Sequence, residues 1–88
     1  MPTRFRVRYD SNVKSTDVYL ERIDRARNMA RYYRLSIAET LFGHWTMIRE
    51  WGRIGSRGQT REHWCRSHDE AVALLEDHRQ ARTRRGYR

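Results

Sequence analysis

The sequence predicts an α+β domain: a single twisted antiparallel sheet of four to five strands with one C-terminal helix packed on it. Three observations predict it. Side-chain character alternates with a period of two through residues 31–39, and the same period sorts residues 45–53 into two faces, neither purely apolar. Short turns separate the periodic segments, too short for crossover helices, so successive strands pair as antiparallel neighbours. A helical pattern with an N-cap then opens at Ser67 and occupies the C-terminal part of the chain.

Taken in order, residues 1–15 read as a basic arm. Phe5, Val7 and Tyr9 alternate with Arg4, Arg6 and Arg8, so the arm is an extra edge strand or a tail that orders on contact, and as an edge it could pair with a second copy. Asp10-Ser11-Asn12 marks a turn. Residues 16–25 form the next strand, with Val18, Tyr19, Leu20 and Ile23 as its apolar content, and residues 26–30 connect it onward. Residues 31–39 alternate cleanly: Tyr33, Leu35 and Ile37 lie on one face, Tyr32, Arg34 and Ser36 on the other. Residues 41–44 turn the chain with Gly43. Residues 45–53 follow as a strand whose one face carries Trp45, Met47, Arg49, Trp51 and Arg53. Residues 54–58 hold two glycines and read as a turn, and residues 59–66 return as the last strand. Ser67 and Glu70 match a capping box. Asp69 and Glu70 suit the positive end of the helix dipole, and Ala71, Leu74, Leu75 and His78 form the stripe that packs on the sheet. Gly86 ends the helix.

With 88 residues the chain makes one domain, which buries only about 60–65% of its unfolded surface. Nineteen Lys+Arg against eleven Asp+Glu leave a net charge of +8. All the cations but Lys14 are arginines. A pI near 10.7 fits a nucleic-acid-binding footprint, and equally an acidic protein or an anionic surface. Cys65 is the single cysteine and reads as a small apolar filler. No signal-peptide run and no stretch of about 18 apolar residues is present. These features lead us to expect a cytoplasmic protein that does not act at a membrane.

The candidate binding residues follow from the strand at 45–53. Trp51 lies between Arg49 and Arg53 on one face, where an aromatic ring can stack on a base or sugar while the cations hold phosphates. Core packing is the competing reading for Trp51; Trp45 and Trp64 read as core. Gly52, Gly55 and Gly58 fit neither a dinucleotide fingerprint nor a P-loop. Turn geometry is their first reading, and a phosphate cradle of backbone amides with Arg57 is the second. Arg79, Arg82, Arg84, Arg85 and Arg88 form a basic run, either a solvated tail or a source of phosphate contacts, with Arg84 and Arg85 its central pair. The four histidines and Cys65 lack a zinc spacing, and no catalytic set assembles. The expectation is a binding module, not an enzyme, with no cofactor.

The run VYLERIDRARNMARYYRL, then WTMIREWGRIGSRGQT, then a capped helix ending in Arg-Arg-Gly-Tyr resembles the WGR domain. The resemblance spans roughly residues 16–87 and is most specific at Trp51-Gly52-Arg53. The family occurs in eukaryotic poly(ADP-ribose) polymerases and in short bacterial proteins. The resemblance implies an antiparallel sheet with one helix that touches DNA ends or nicks. It implies that Trp51 packs on nucleic-acid backbone or an end base, and that Arg53 contacts DNA or a neighbouring domain. No ADP-ribosyltransferase region accompanies it, so that activity does not carry over. The expected partner is nucleic acid, DNA before RNA, bound without sequence reading. Docking to an acidic protein is the alternative, and the expected state is a monomer or weak homodimer.

Overall fold

The computed structural model describes residues 17–88; the expectations for residues 1–15 lie outside the described residues. Strands β1 (Asp17–Asp24), β2 (Met29–Glu39), β3 (Trp45–Arg53) and β4 (Gln59–Cys65) form one antiparallel sheet in the order β1-β2-β3-β4. Helix α1 (His68–Arg84) packs on one face of it. The fold is the α+β sheet-and-helix arrangement that the alternating segments and the capped helix predict.

The strand boundaries differ from expectation in one informative place. A single 3-10 turn, Arg25–Arg27, ends on Asn28 in the left-handed region at φ 53. Asn tolerates that conformation, so the chain reverses there and β2 starts at Met29, inside the segment that reads as a connection.

Cross-strand register sorts the side chains into rows. Leu20, Tyr33, Trp51 and Gln59 form one row, and Val18, Leu35, Arg49 and Arg61 the next. Ile37, Met47 and His63 form a third. All of these lie on the helix side. The core there consists of Tyr33, Leu35, Met47, Leu75 and Tyr87, with Val18, Leu20, Ile37, Trp51 and Leu74 packed around it. Among the described residues, only one face of the sheet is covered. That corrects the reading of Trp64 as core. Cys65 points to the helix and is buried, so the period of two sends Trp64 to the opposite, uncovered face, where it is 67% exposed. Tyr19 and Tyr32 stack there, centroids 6.0 Å apart.

Both ends of α1 are capped. Ser67 Oγ accepts from the Glu70 amide at 3.1 Å. Glu70 Oε1 accepts from the Arg66 amide at 2.9 Å, one residue earlier than a standard capping box. At the far end the Gly86 amide donates to the Thr83 carbonyl and the Tyr87 amide to the Arg82 carbonyl, both at 3.1 Å. With Gly86 at φ 97, this is a Schellman cap. The cap turns Tyr87 into the core, its ring edge-on to Tyr33 with centroids 6.0 Å apart. Arg88 then exchanges two 2.8 Å backbone hydrogen bonds with Glu21. The C-terminal basic run therefore does not end in a free tail: Tyr87 is packed in the core and Arg88 is strapped to β1.

Candidate nucleic-acid interface

The residues of Trp51-Gly52-Arg53 do different jobs because they point to different sides. Gly52 lies on the uncovered side, opposite Tyr32. A Cβ there would sit 2.8 Å from the Gly58 Cα, and one on Gly58 would collide with the Trp51 carbonyl oxygen and the Tyr32 hydroxyl. These two glycines let the turn close onto the strand. Gly55, at φ 90, reverses the chain. The Ser56 amide donates to the Arg53 carbonyl at 3.0 Å, and the Ile54 amide anchors the turn to the Ala30 carbonyl at 2.9 Å. The Gly58 amide is directed at the Tyr32 hydroxyl. The amides of Ile54, Ser56 and Gly58 are thus engaged within the domain. Arg57 is exposed at its tip.

On the helix side, Trp51 is half-buried and packs against the core, its ring 6.3 Å from Tyr33. The Arg49 guanidinium lies over the Trp51 ring, 5.0 Å from its centroid, a cation–π arrangement. Arg49 is held in place by two donations, from Nε to His63 Nε2 at 2.9 Å and from Nη1 to the Tyr33 hydroxyl at 3.2 Å. Arg82 reaches from α1 over the Tyr33 ring, 4.2 Å from its centroid. Arg53 is exposed at the strand end and donates to the Asn28 carbonyl at 3.2 Å. Arg84 is exposed in the last turn of α1 and Arg85 is exposed at its C-cap. No described contact joins either of them to Trp51. Arg79 is engaged by Glu76 at 2.7 Å.

Register reveals a feature that residue spacing does not show. Arg22, Arg31 and Arg53 are directly opposed across β1, β2 and β3. This row flanks the Trp51 row on one side, and Arg49 with Arg61 flanks it on the other. Like charges placed opposite each other in a sheet are destabilising, yet the helix side concentrates five arginines. Its strand acids are only Asp24 and Glu39. The uncovered side is the reverse: Asp17, Glu21, Glu50 and Glu62 against Arg34. The sheet is electrically two-sided, basic around Trp51 and acidic behind it. Among the described residues, the salt bridges are Arg27–Asp24, Arg34–Asp17 and Arg79–Glu76, and none engages the five arginines around Trp51. Arg22, Arg31 and Arg61 were not singled out by sequence reasoning, and Arg82 only as a member of the C-terminal basic run. The period of two on residues 31–39 does place Arg31 on the Tyr33 face, but only the pairing shows what stands beside it.

Two histidines border this basic face. His63 and His78 have ring centroids 5.6 Å apart. Burial, then Arg49 and Arg61, hold His63 below the ordinary histidine value. Burial, then Arg49, His63 and Arg82, lower His78, with Asp77 opposing. Burial also pushes the Cys65 thiol up, with Glu70 adding to the effect, so it is a poor nucleophile. Among the described residues no three His, Cys, Asp or Glu side chains gather as a metal-ligand set. No helix there is long and apolar enough to cross a membrane.

The comparisons with known proteins agree with this architecture. The chain is 46% identical over 71 residues to a Sinorhizobium fredii protein described as uncharacterized protein y4dW. The match covers 81% of this chain and 35% of that relative, so the chain spans about a third of its length. No solved structure matches. The family described as WGR domain matches residues 16–88, the segment that builds the whole sheet, the basic Trp51 face and the capped helix; the chain belongs to the WGR domain family.

Proposed function

We propose that this domain binds nucleic acid without reading its sequence, DNA before RNA, with ends or nicks as its preferred sites. The observation that carries the reading is the row Arg22–Arg31–Arg53 set beside Trp51, with Arg49 and Arg61 on its other side. A row of opposed guanidiniums is unfavourable alone and becomes favourable against a polyanion. Arg offers the planar donor fork that fits phosphate, and phosphate contacts give affinity without sequence information. The WGR family is a family of nucleic-acid-binding modules, which supports the reading. Among the described residues no helix is placed to read a major groove, because α1 lies on the sheet. Trp51 is half-buried, so its contribution is its exposed rim against a sugar or terminal base.

Arg53 and Arg57 extend the contact at the strand end and turn tip, and Arg84 and Arg85 extend it from the helix terminus. An acidic protein fits the same charge, and resistance of a co-purifying partner to nuclease would favour it. The direct test is fluorescence anisotropy with nicked, blunt-ended and single-stranded DNA of equal length at two salt concentrations. Tighter binding to nicked or blunt duplexes is the expected result. Equal binding to all three refutes the preference for ends, and no binding at low salt refutes the nucleic-acid reading.

A further inference from the structure

We propose that the basic face binds a phosphate together with a proton, taken up by the His63–His78 pair. The inference rests on the nucleic-acid reading above and adds residues and a pH dependence to it. The geometry carries it. His63 on β4 and His78 on α1 meet at the mouth between sheet and helix, ring centroids 5.6 Å apart. The charged and titratable groups around them come from every adjoining element: Arg49 on β3, Arg61 on β4, Arg82 and Asp77 on α1, and the Tyr33 hydroxyl on β2. Three of these groups are cations and one is an acid.

In the free protein Arg49 Nε–H donates to His63 Nε2. A nitrogen that accepts carries no proton, so this bond requires a neutral His63 with its hydrogen on Nδ1. Both histidines are held toward the neutral form by burial and by the surrounding guanidiniums. An arriving phosphate oxygen reverses both conditions. It becomes the acceptor for Arg49, which releases Nε2, and its negative charge cancels the arginine field that disfavours imidazolium. Nε2 then takes a proton from solvent and donates it to the same phosphate, forming a charge-assisted hydrogen bond. The close pairing of the two rings limits uptake to about one proton, because a second positive imidazole beside the first is repelled.

By linkage, affinity for DNA then tightens as pH falls, by up to about tenfold per pH unit for each proton bound. The experiment follows the imidazole Cε1–H resonances of His63 and His78 through a pH titration by NMR, free and saturated with a nicked duplex, alongside anisotropy at pH 8, 7 and 6. We expect at least one histidine to titrate higher in the complex, and the pH slope of affinity to vanish in the His63→Gln/His78→Gln double variant. Unchanged histidine titrations and pH-invariant affinity in a protein that does bind DNA overturn the proton linkage and leave the binding reading standing. No binding at any pH overturns both. The wild-type titration decides the matter even if the double variant does not fold.

Discussion

A methyl group at position 58 would meet the Trp51 carbonyl oxygen and the Tyr32 hydroxyl. Neither can withdraw, since one is main chain and the other is tied to Glu50 Oε2 at 2.8 Å. Gly58→Ala is therefore expected to destabilise the domain by more than about 2 kcal/mol, the range of a backbone clash within a packed turn. Thermal unfolding checks it, and an unchanged midpoint would show that the turn is not seated on β3 as described. Spacing was enough to assign Gly52, Gly55 and Gly58 to turn geometry. It could not say which of them faces a neighbour and which only needs positive φ. Trp64 shows the opposite failure. Its flanks offer no functional signal, and a large aromatic defaults to the core. Its exposure follows only from knowing that the helix covers one side of the sheet and that Cys65 takes the covered side.

At the scale of elements, β3 was legible to the residue because Gly-bearing turns bound it on both sides. Helix α1 was legible at its start, where Ser67 and Glu70 carry the signal, and at Gly86, where positive φ is required. The last two residues were not. Tyr87 follows a run of arginines, and nothing in that run signals its burial. It is buried because the Schellman cap reverses the chain onto Tyr33, a tertiary event with no local signature. Truncating a buried aromatic typically costs about 3–5 kcal/mol. Tyr87→Ala should lower stability on that scale in a urea titration. The reason would be lost packing on Tyr33 and Leu75, together with looser Arg88–Glu21 pairing. A midpoint within error of wild type would return Tyr87 to the status of a tail residue.

Over the whole molecule, net charge was legible from composition, but its distribution was not. Which face a residue occupies follows from the strand period. Which residues share a row follows only from register, and register gathers Arg22, Arg31 and Arg53 beside Trp51 while the acids go to the uncovered side. The same arrangement makes stability depend on pH. His63 and His78 titrate below their ordinary value in the fold, so below about pH 6.5 the unfolded chain binds more protons than the folded one. Stability conferred by neutral histidines is then present above that pH and declines as pH falls toward the lowered folded values. Thermal midpoints should fall between pH 7 and pH 5, and less so in the His63→Gln/His78→Gln variant if it folds. A rising midpoint over that interval would contradict the burial of the pair.

The central claim is that the basic Trp51 face is where phosphate is held. The salt dependence of binding measures it directly. Occupying about five phosphates gives a slope of log affinity against log salt near −4.5 on duplex DNA. Replacing Arg31 and Arg53 together by alanine should make the slope shallower by about two and weaken binding uniformly across sequences. The same slope in the wild type and the Arg31→Ala/Arg53→Ala variant, with affinity intact, would place the nucleic acid elsewhere on the molecule.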